Sequence, residues 1–71
     1  MKPTQEELDT RFTYHETKPG QLEKYLAIRA MTKQLAELMV KECPESRELS
    51  LALTELEQSN MWANAAIARR S

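Results

Sequence analysis

The chain has no means of crosslinking itself, and this limits what it can fold into. Cys43 is the only cysteine among 71 residues, so no disulfide can form within the chain. With His15 as the only histidine, the sequence is also poor in ligands for a structural zinc site, which needs four. Below roughly 70–80 residues, one core seldom supplies more than about 3–5 kcal/mol by itself. We therefore expect the protein to gain stability by oligomerisation.

The composition favours helices. The sequence contains a single Gly and is rich in Ala, Leu, Glu and Lys, which are good helix formers. No stretch alternates apolar and polar residues for long enough to predict a sheet. The predicted fold class is all-α: a short N-terminal helix and arm, followed by a long antiparallel helical hairpin, assembled into a homo-oligomer.

We expect the N-terminal helix, the arm and the hairpin to form a single domain over residues 1–71. Residues 1–20 hold the N-terminal helix and arm, and the two hairpin helices are expected over 20–43 and 46–70. Pro44 ends the first of these helices and begins the turn.

Local signals define the start of the chain. Thr4 and Glu7 match a T-x-x-E capping box, in which each side chain satisfies a free amide of the first turn. This predicts a helix from Pro3 to about Thr10. The arm follows, and the next helix is expected to begin at Pro19 or Gly20 with proline in its first turn.

Apolar residues occupy more than one face of each long helix. On the first helix, one face is predicted to hold Leu22, Tyr25, Ile28, Met31 or Thr32, Leu35, Met39 and Cys43. On the second, a heptad seam comprises Leu49, Leu53, Leu56, Asn60, Ala63 and Ile67. A neighbouring stripe of small residues allows close approach of another helix, and Trp62 and Met61 offer bulk on a different face. One internal seam cannot hide all of this surface.

Charge and hydropathy exclude several functions. Ten Lys and Arg nearly balance eleven Asp and Glu, whereas binding to a DNA or RNA polymer needs a strongly basic face. No apolar run approaches the roughly 20 residues of a membrane span. The opening MKPTQEELDT is polar and acidic, unlike a signal peptide. We expect a soluble cytoplasmic protein with no membrane partner.

No catalytic residues, metal site or cofactor are expected, because His15 stands alone in the arm. Each candidate for ligand binding also has a structural interpretation. Arg69 and Arg70 are candidates for a phosphate site, and the structural interpretation is that they complement the dipole at the helix C-terminus. Tyr14 is a candidate for stacking on a base, and the structural interpretation is that it anchors the arm to the helices. Arg29 and Lys33 bind an anion or form a solvated face paired with Glu23 or Glu37. Asn60 contacts a ligand or fixes helix register.

Four motifs occur in order along the chain. They are Tyr14-His15 in the arm, the helix start KPGQ at 18–21, the Cys43-Pro44 turn, and MWANAAIAR at 61–69. With these motifs, the sequence over about residues 12–70 resembles the hairpin domain of phage anti-CBASS proteins, which are cyclic-oligonucleotide sponges.

The resemblance implies a compact homohexamer that binds cyclic nucleotide alarm signals without cleaving them, in the cytoplasm of an infected bacterial host. It implies a cyclic dinucleotide site between protomers at Tyr14, Arg29, Thr32 and Lys33, with Lys24 as another possible cation on the same helix. It also implies a separate cyclic trinucleotide site at Arg70 and Arg69. The alternative function is a structural or adaptor hairpin that oligomerises and binds a host protein.

The first prediction concerns assembly. Because two helices carry more apolar surface than one seam hides, the protein should be an oligomer at micromolar concentration, and the resemblance implies six copies. Multi-angle light scattering measures this mass directly. A stable, folded monomer of 8.2 kDa would contradict the prediction.

Overall fold

The hairpin is the main body of the molecule. The computed structural model describes residues 2–71 and contains α1 (Gln5–Phe12), α2 (Gln21–Glu42) and α3 (Arg47–Arg70). The described residues include no strand, which confirms the all-helical prediction. α2 and α3 pack against each other in antiparallel fashion, and the chain measures 45 × 33 × 14 Å along its principal axes.

α1 begins at Gln5, two residues after the predicted start at Pro3, and it ends later than predicted. The Thr4 hydroxyl accepts a hydrogen bond from the Glu7 amide at 3.1 Å, so Thr4 is the N-cap. The helix continues to Phe12, whereas the sequence predicted an end near Thr10. Arg11 explains the extra residues, because its guanidinium lies 3.5 Å from the carboxylate of Glu7 one turn earlier and complements the negative end of the helix dipole.

A tight turn leads from the arm into α2. The Gln21 amide donates to the Lys18 carbonyl at 3.1 Å, and Gly20 has φ 86° and ψ −15°. These angles match the third position of a type II turn, which favours proline just before it and glycine at the position itself. Pro19 therefore lies in this turn, and the prediction that it or Gly20 begins the helix is wrong. Gly20 is the N-cap, and the first helical residue is Gln21.

The predicted seam of α3 is confirmed, whereas that of α2 needs correction. All six predicted α3 residues are half-buried: Leu49, Leu53, Leu56, Asn60, Ala63 and Ile67. On α2 the residues that face α3 are Gln21, Tyr25, Ile28, Thr32, Ala36 and Met39. Leu22 is 59% exposed, Met31 72% and Leu35 43%, and Cys43 is exposed as well, so these four predictions are wrong. The face is set by the buried Gln21, so Leu22, the next residue along the helix, points to solvent.

The hairpin leaves large apolar side chains uncovered. Within residues 2–71 of a single chain, no apolar residue is fully buried. The exposed ones on the two long helices include Leu22, Leu26, Met31, Leu38, Val40, Leu51, Met61 and Trp62. Apolar area removed from water contributes about 25 cal/mol per Å². Association of further copies is therefore the available source of the missing burial.

Gln21 joins the open end of the hairpin. Its side chain is 4% exposed, and its amide donates to the Ile67 carbonyl at 3.0 Å and to the Ser71 carbonyl at 3.4 Å. Its own carbonyl oxygen accepts from the Lys18 amide at 2.8 Å. The ammonium of Lys18 donates to Ser71 at 2.9 Å. The Ile67 carbonyl also accepts from the amide and the hydroxyl of Ser71, so the bonds from Gln21 and Lys18 mainly tie the start of α2 to the last turn of α3.

Replacing Gln21 should destabilise the hairpin. Gln21→Ala removes the hydrogen bonds from α2 to the end of α3 and the acceptor of the Lys18 amide. Each lost hydrogen bond costs about 0.5–1.5 kcal/mol of unfolding free energy. Urea denaturation followed by circular dichroism, at one fixed protein concentration, measures the change. Gln34→Ala is the matched control because Gln34 is exposed on the same helix. Equal losses in the two variants would contradict the role assigned to Gln21.

Candidate functional site

A groove runs between α2 and α3 beside the seam, and it is here called the hairpin groove. Its volume is about 490 Å³, within the range of about 300–1,000 Å³ that is usual for ligand pockets. It is lined by Arg29, Thr32, Lys33 and Ala36 from α2 and by Leu53, Thr54, Leu56, Glu57 and Asn60 from α3. Residues three and four apart share one helix face, which brings Arg29, Thr32 and Lys33 together.

The two cations of the hairpin groove are not neutralised by ion pairs. In the described part of the chain, the ion pairs are those of Glu7 with Arg11 and Arg70. Arg29 and Lys33 thus form no pair with Glu23 or Glu37, although the sequence left that possibility open. Glu57 lines the same groove and opposes part of their charge.

The polar uncharged groups of the groove differ in what they can offer a ligand. The hydroxyl of Thr32 donates to the Ile28 carbonyl at 2.7 Å, so its hydrogen is not available to a phosphate while that bond holds. The carbonyl oxygen of Asn60 is buried and has no hydrogen-bond partner. A buried acceptor without a partner costs free energy, about 1–3 kcal/mol. A ligand donor can satisfy this oxygen only if the Asn60 side chain turns towards the groove, and Asn64, outside the groove, has a buried oxygen without a partner as well.

Tyr14 is not part of the hairpin groove of its own chain. It lies in the arm between α1 and α2 and is 77% exposed. Next to it, the His15 ring nitrogen Nε2 lies 2.7 Å from the Thr10 carbonyl oxygen, which ties the arm back to α1. Lys24, the alternative cation, does not line the groove either.

A second cleft, here called the α1 cleft, lies between α1 and the end of α3. Its volume is about 430 Å³, and it is lined by Glu7, Arg11, Phe12, Trp62, Ala65, Ala66, Arg69 and Arg70. The two predicted arginines thus share a cleft with a third, Arg11. Two exposed aromatic rings, Phe12 and Trp62, flank these cations.

Glu7 lines the α1 cleft, and the sequence analysis did not place it beside the two arginines. The Nη2 atom of Arg70 donates to both oxygens of the Glu7 carboxylate, at 2.8 and 3.1 Å. The hydrogen bond from Arg70, aided by the charges of Arg70, Arg11 and Arg69, holds the pKa of Glu7 below its usual 4.5, although partial desolvation opposes this. The capping box predicted that this carboxylate would bond to the Thr4 amide, and it accepts from Arg70 instead. No local signal in the sequence indicates this partner.

The arrangement is that of a small helical hairpin with two separate basic clefts. None of its described helices combines the length and apolar character of a membrane-spanning segment. Nor do the described residues include a group of three or more His, Cys, Asp or Glu side chains that could hold a metal ion.

Comparison with known proteins identifies the family. The family model described as "Acb2/Tad1, hairpin domain" matches residues 4–68, and the chain belongs to this family, that of the anti-CBASS cyclic-oligonucleotide sponge proteins. Searches of curated proteins and of solved structures found no match. Membership confirms the resemblance seen in the sequence motifs.

The Glu7 carboxyl should titrate below its usual value of 4.5 and return towards it when Arg70 is replaced by Gln. The pKa of Glu7 is lower in the folded than in the unfolded state, so this contact stabilises the fold fully at a pH above the pKa of the unfolded state. The stabilisation is lost as the pH falls through the pKa of the folded state. Carbon-13 NMR of the side-chain carboxyl measures the midpoint.

Arg69→Gln is the control for this titration, because Arg69 acts on Glu7 only through its charge and should raise the midpoint less. The same midpoint in the original protein and the Arg70 variant would show that their contact does not persist in solution.

Proposed function

We propose that this protein binds cyclic oligonucleotide immune signals of a bacterial host and sequesters them without cleavage. It acts in the cytoplasm of the infected cell, as a phage counter-defence protein, and it keeps the signal from the CBASS effector. The observation that carries the proposal is the family match over residues 4–68, which includes both basic clefts apart from Arg69 and Arg70. A sponge role in general fits this family.

The hairpin groove is the proposed cyclic dinucleotide site. Arg29 and Lys33 line one wall without carboxylate partners and supply charge for the two phosphates. A planar guanidinium also orients a phosphate through paired hydrogen bonds. The unpartnered oxygen of Asn60 accepts from an exocyclic amino group of a base once its side chain turns towards the groove, and Thr32 contributes once its hydroxyl rotates away from Ile28.

Tyr14 reaches this site from a second protomer. Its ring lies outside the groove of its own chain and is exposed, so a neighbouring copy must supply the stacking face. Stacking of an aromatic ring on a base contributes about 1–3 kcal/mol. A two-fold interface presents each group twice, and this matches a ligand with two bases and two phosphates.

The α1 cleft is the proposed cyclic trinucleotide site. Arg70 is its main phosphate contact, Arg69 is the second, and Arg11 adds charge nearby. In an assembly around an axis, several such guanidinium groups converge. Like charges at close range are unfavourable unless an anion lies between them.

The proposed assembly is a homohexamer. The apolar side chains left exposed on both long helices supply its interfaces, and the small residues on α3 permit close approach between chains. Assembly and ligand binding are therefore coupled, since the dinucleotide site needs residues of two copies.

Sequestration without catalysis is the proposed mode of action, and no cofactor takes part. The single histidine, His15, lies outside both clefts and bonds to the Thr10 carbonyl. The free energy of binding alone keeps the signal from its effector. Ligand released by heat should accordingly be recovered intact.

The two ligand classes should separate by mutation. Tyr14→Ala should weaken cyclic dinucleotide binding by about 1–3 kcal/mol, because a stacking face is lost, and leave cyclic trinucleotides nearly unchanged. Arg29→Ala should behave like Tyr14→Ala. Arg70→Ala should weaken cyclic trinucleotides alone. Isothermal titration calorimetry with both ligand classes measures all of these affinities.

Two variants serve as matched controls for this experiment. Tyr14→Phe keeps the ring and should retain dinucleotide binding, and Arg47→Ala removes a cation of α3 that lines neither cleft. Light scattering must show an unchanged oligomer for every variant, because an assembly defect lowers all affinities together. Equal loss of both ligand classes in Tyr14→Ala and Arg70→Ala would mean one shared site and would overturn the two-site proposal.

A further inference from the structure

We infer that Glu7 determines the ligand specificity of the α1 cleft. Its carboxylate competes with incoming phosphate for Arg70, and it thereby rejects anions that cannot also contact Arg69 and Arg11. The inference rests on the proposed function, because it concerns how the same cleft selects a cyclic trinucleotide from simpler phosphates.

The geometry places Glu7 where a phosphate on Arg70 would lie. Both carboxylate oxygens accept from the Nη2 atom of Arg70, at 2.8 and 3.1 Å, and one of them lies 3.5 Å from Arg11. The side chains of Arg70 and Glu7 are 56% and 33% exposed, so a ligand can reach the pair from solvent. A carboxylate and a phosphate use the same guanidinium donors.

Charge decides which anions can overcome this competition. The cleft holds three arginines and one glutamate, so its net charge is positive even with Glu7 ionised. A single phosphate that approaches Arg70 must displace Glu7 or lie beside its negative charge. A cyclic trinucleotide holds three phosphates in a fixed ring and can contact several guanidinium groups at once. Rejection of a competitor by a repulsive group is a general route to specificity.

The pair contributes more to selection than to folding. Ion pairs this exposed add little to stability, because both groups are well solvated when separated. The Glu7 carboxylate also forgoes the capping bond to the Thr4 amide that its sequence position predicts, and binds Arg70 at the other end of the chain instead. Neutralising Glu7 should thus change ligand preference while the fold is kept.

Glu7→Gln is the test, and Glu6→Gln is its matched control. Glu6 precedes Glu7 in the first turn of α1 and lines neither cleft, so its variant removes the same charge without touching Arg70. The probes are a cyclic trinucleotide of adenosine, adenosine monophosphate and inorganic phosphate. Trp62, the only tryptophan, lines the α1 cleft and reports binding there by its fluorescence.

Glu7→Gln should bind phosphate and adenosine monophosphate about two- to fivefold more tightly, the effect of losing one exposed charge contact. The affinity for the cyclic trinucleotide should increase less, so the ratio of its affinity to those of phosphate and adenosine monophosphate should fall. Glu6→Gln should match the original protein. In an Arg70→Gln background, Glu7→Gln should no longer strengthen phosphate binding, because the contested donor is gone.

Other results overturn the inference. Equal gains for all three probes would mean that Glu7 changes overall charge and not selection, and weaker trinucleotide binding would make Glu7 a ligand contact or a structural residue. Failure of the original protein and of Glu7→Gln to bind any trinucleotide would refute the proposed function at this cleft instead. The phosphate and mononucleotide titrations then decide the inference alone: tighter binding in Glu7→Gln than in Glu6→Gln supports competition for Arg70, and no difference refutes it.

Discussion

The single seam between α2 and α3 is the constraint on which the rest of this structure depends. Two helices in contact cover only one face of each other, and here even the residues of that seam are half-buried apart from Gln21. Under the proposed function, stability and ligand binding both draw on these uncovered surfaces. In the proposed hexamer, copies that bury the outer faces also bring Tyr14 of one chain towards the hairpin groove of another. The proposed function thus makes assembly a condition for a complete dinucleotide site.

Features fixed by neighbouring residues were predictable from the sequence. The cap at Thr4 and the α3 seam depend on residues within one or two turns, and the structure agrees with them. The face of α2 was misjudged at Leu22 because Gln21 is buried by its bonds to Ile67 and Ser71, 46 and 50 residues away. Apolar periodicity cannot indicate that a polar side chain occupies the seam.

The candidate site shows the same limit. Arg29, Thr32 and Lys33 lie together because three- and four-residue spacing on one helix is enough to align them. Tyr14 has no such relation to them, since its position depends on the path of the arm, and the proposed site takes Tyr14 from a second chain. The contact of Glu7 with Arg70 depends on how α1 packs on the hairpin. Residue spacing along a helix does not predict how one helix packs on another.

The long chain separation within this ion pair has a consequence for motion. Glu7 and Arg70 are 63 residues apart, and α1 has few other contacts with the hairpin. Segments held by few, exposed contacts open at low free energy while the remaining structure stays folded. α1 should therefore detach and rebind many times for each unfolding of the hairpin. The α1 cleft exists only while α1 is packed against α3. A ligand that contacts both α1 and α3 would increase the time that α1 stays packed. Added ligand should therefore slow hydrogen exchange at the α1 amides more than at the amides in the middle of α3.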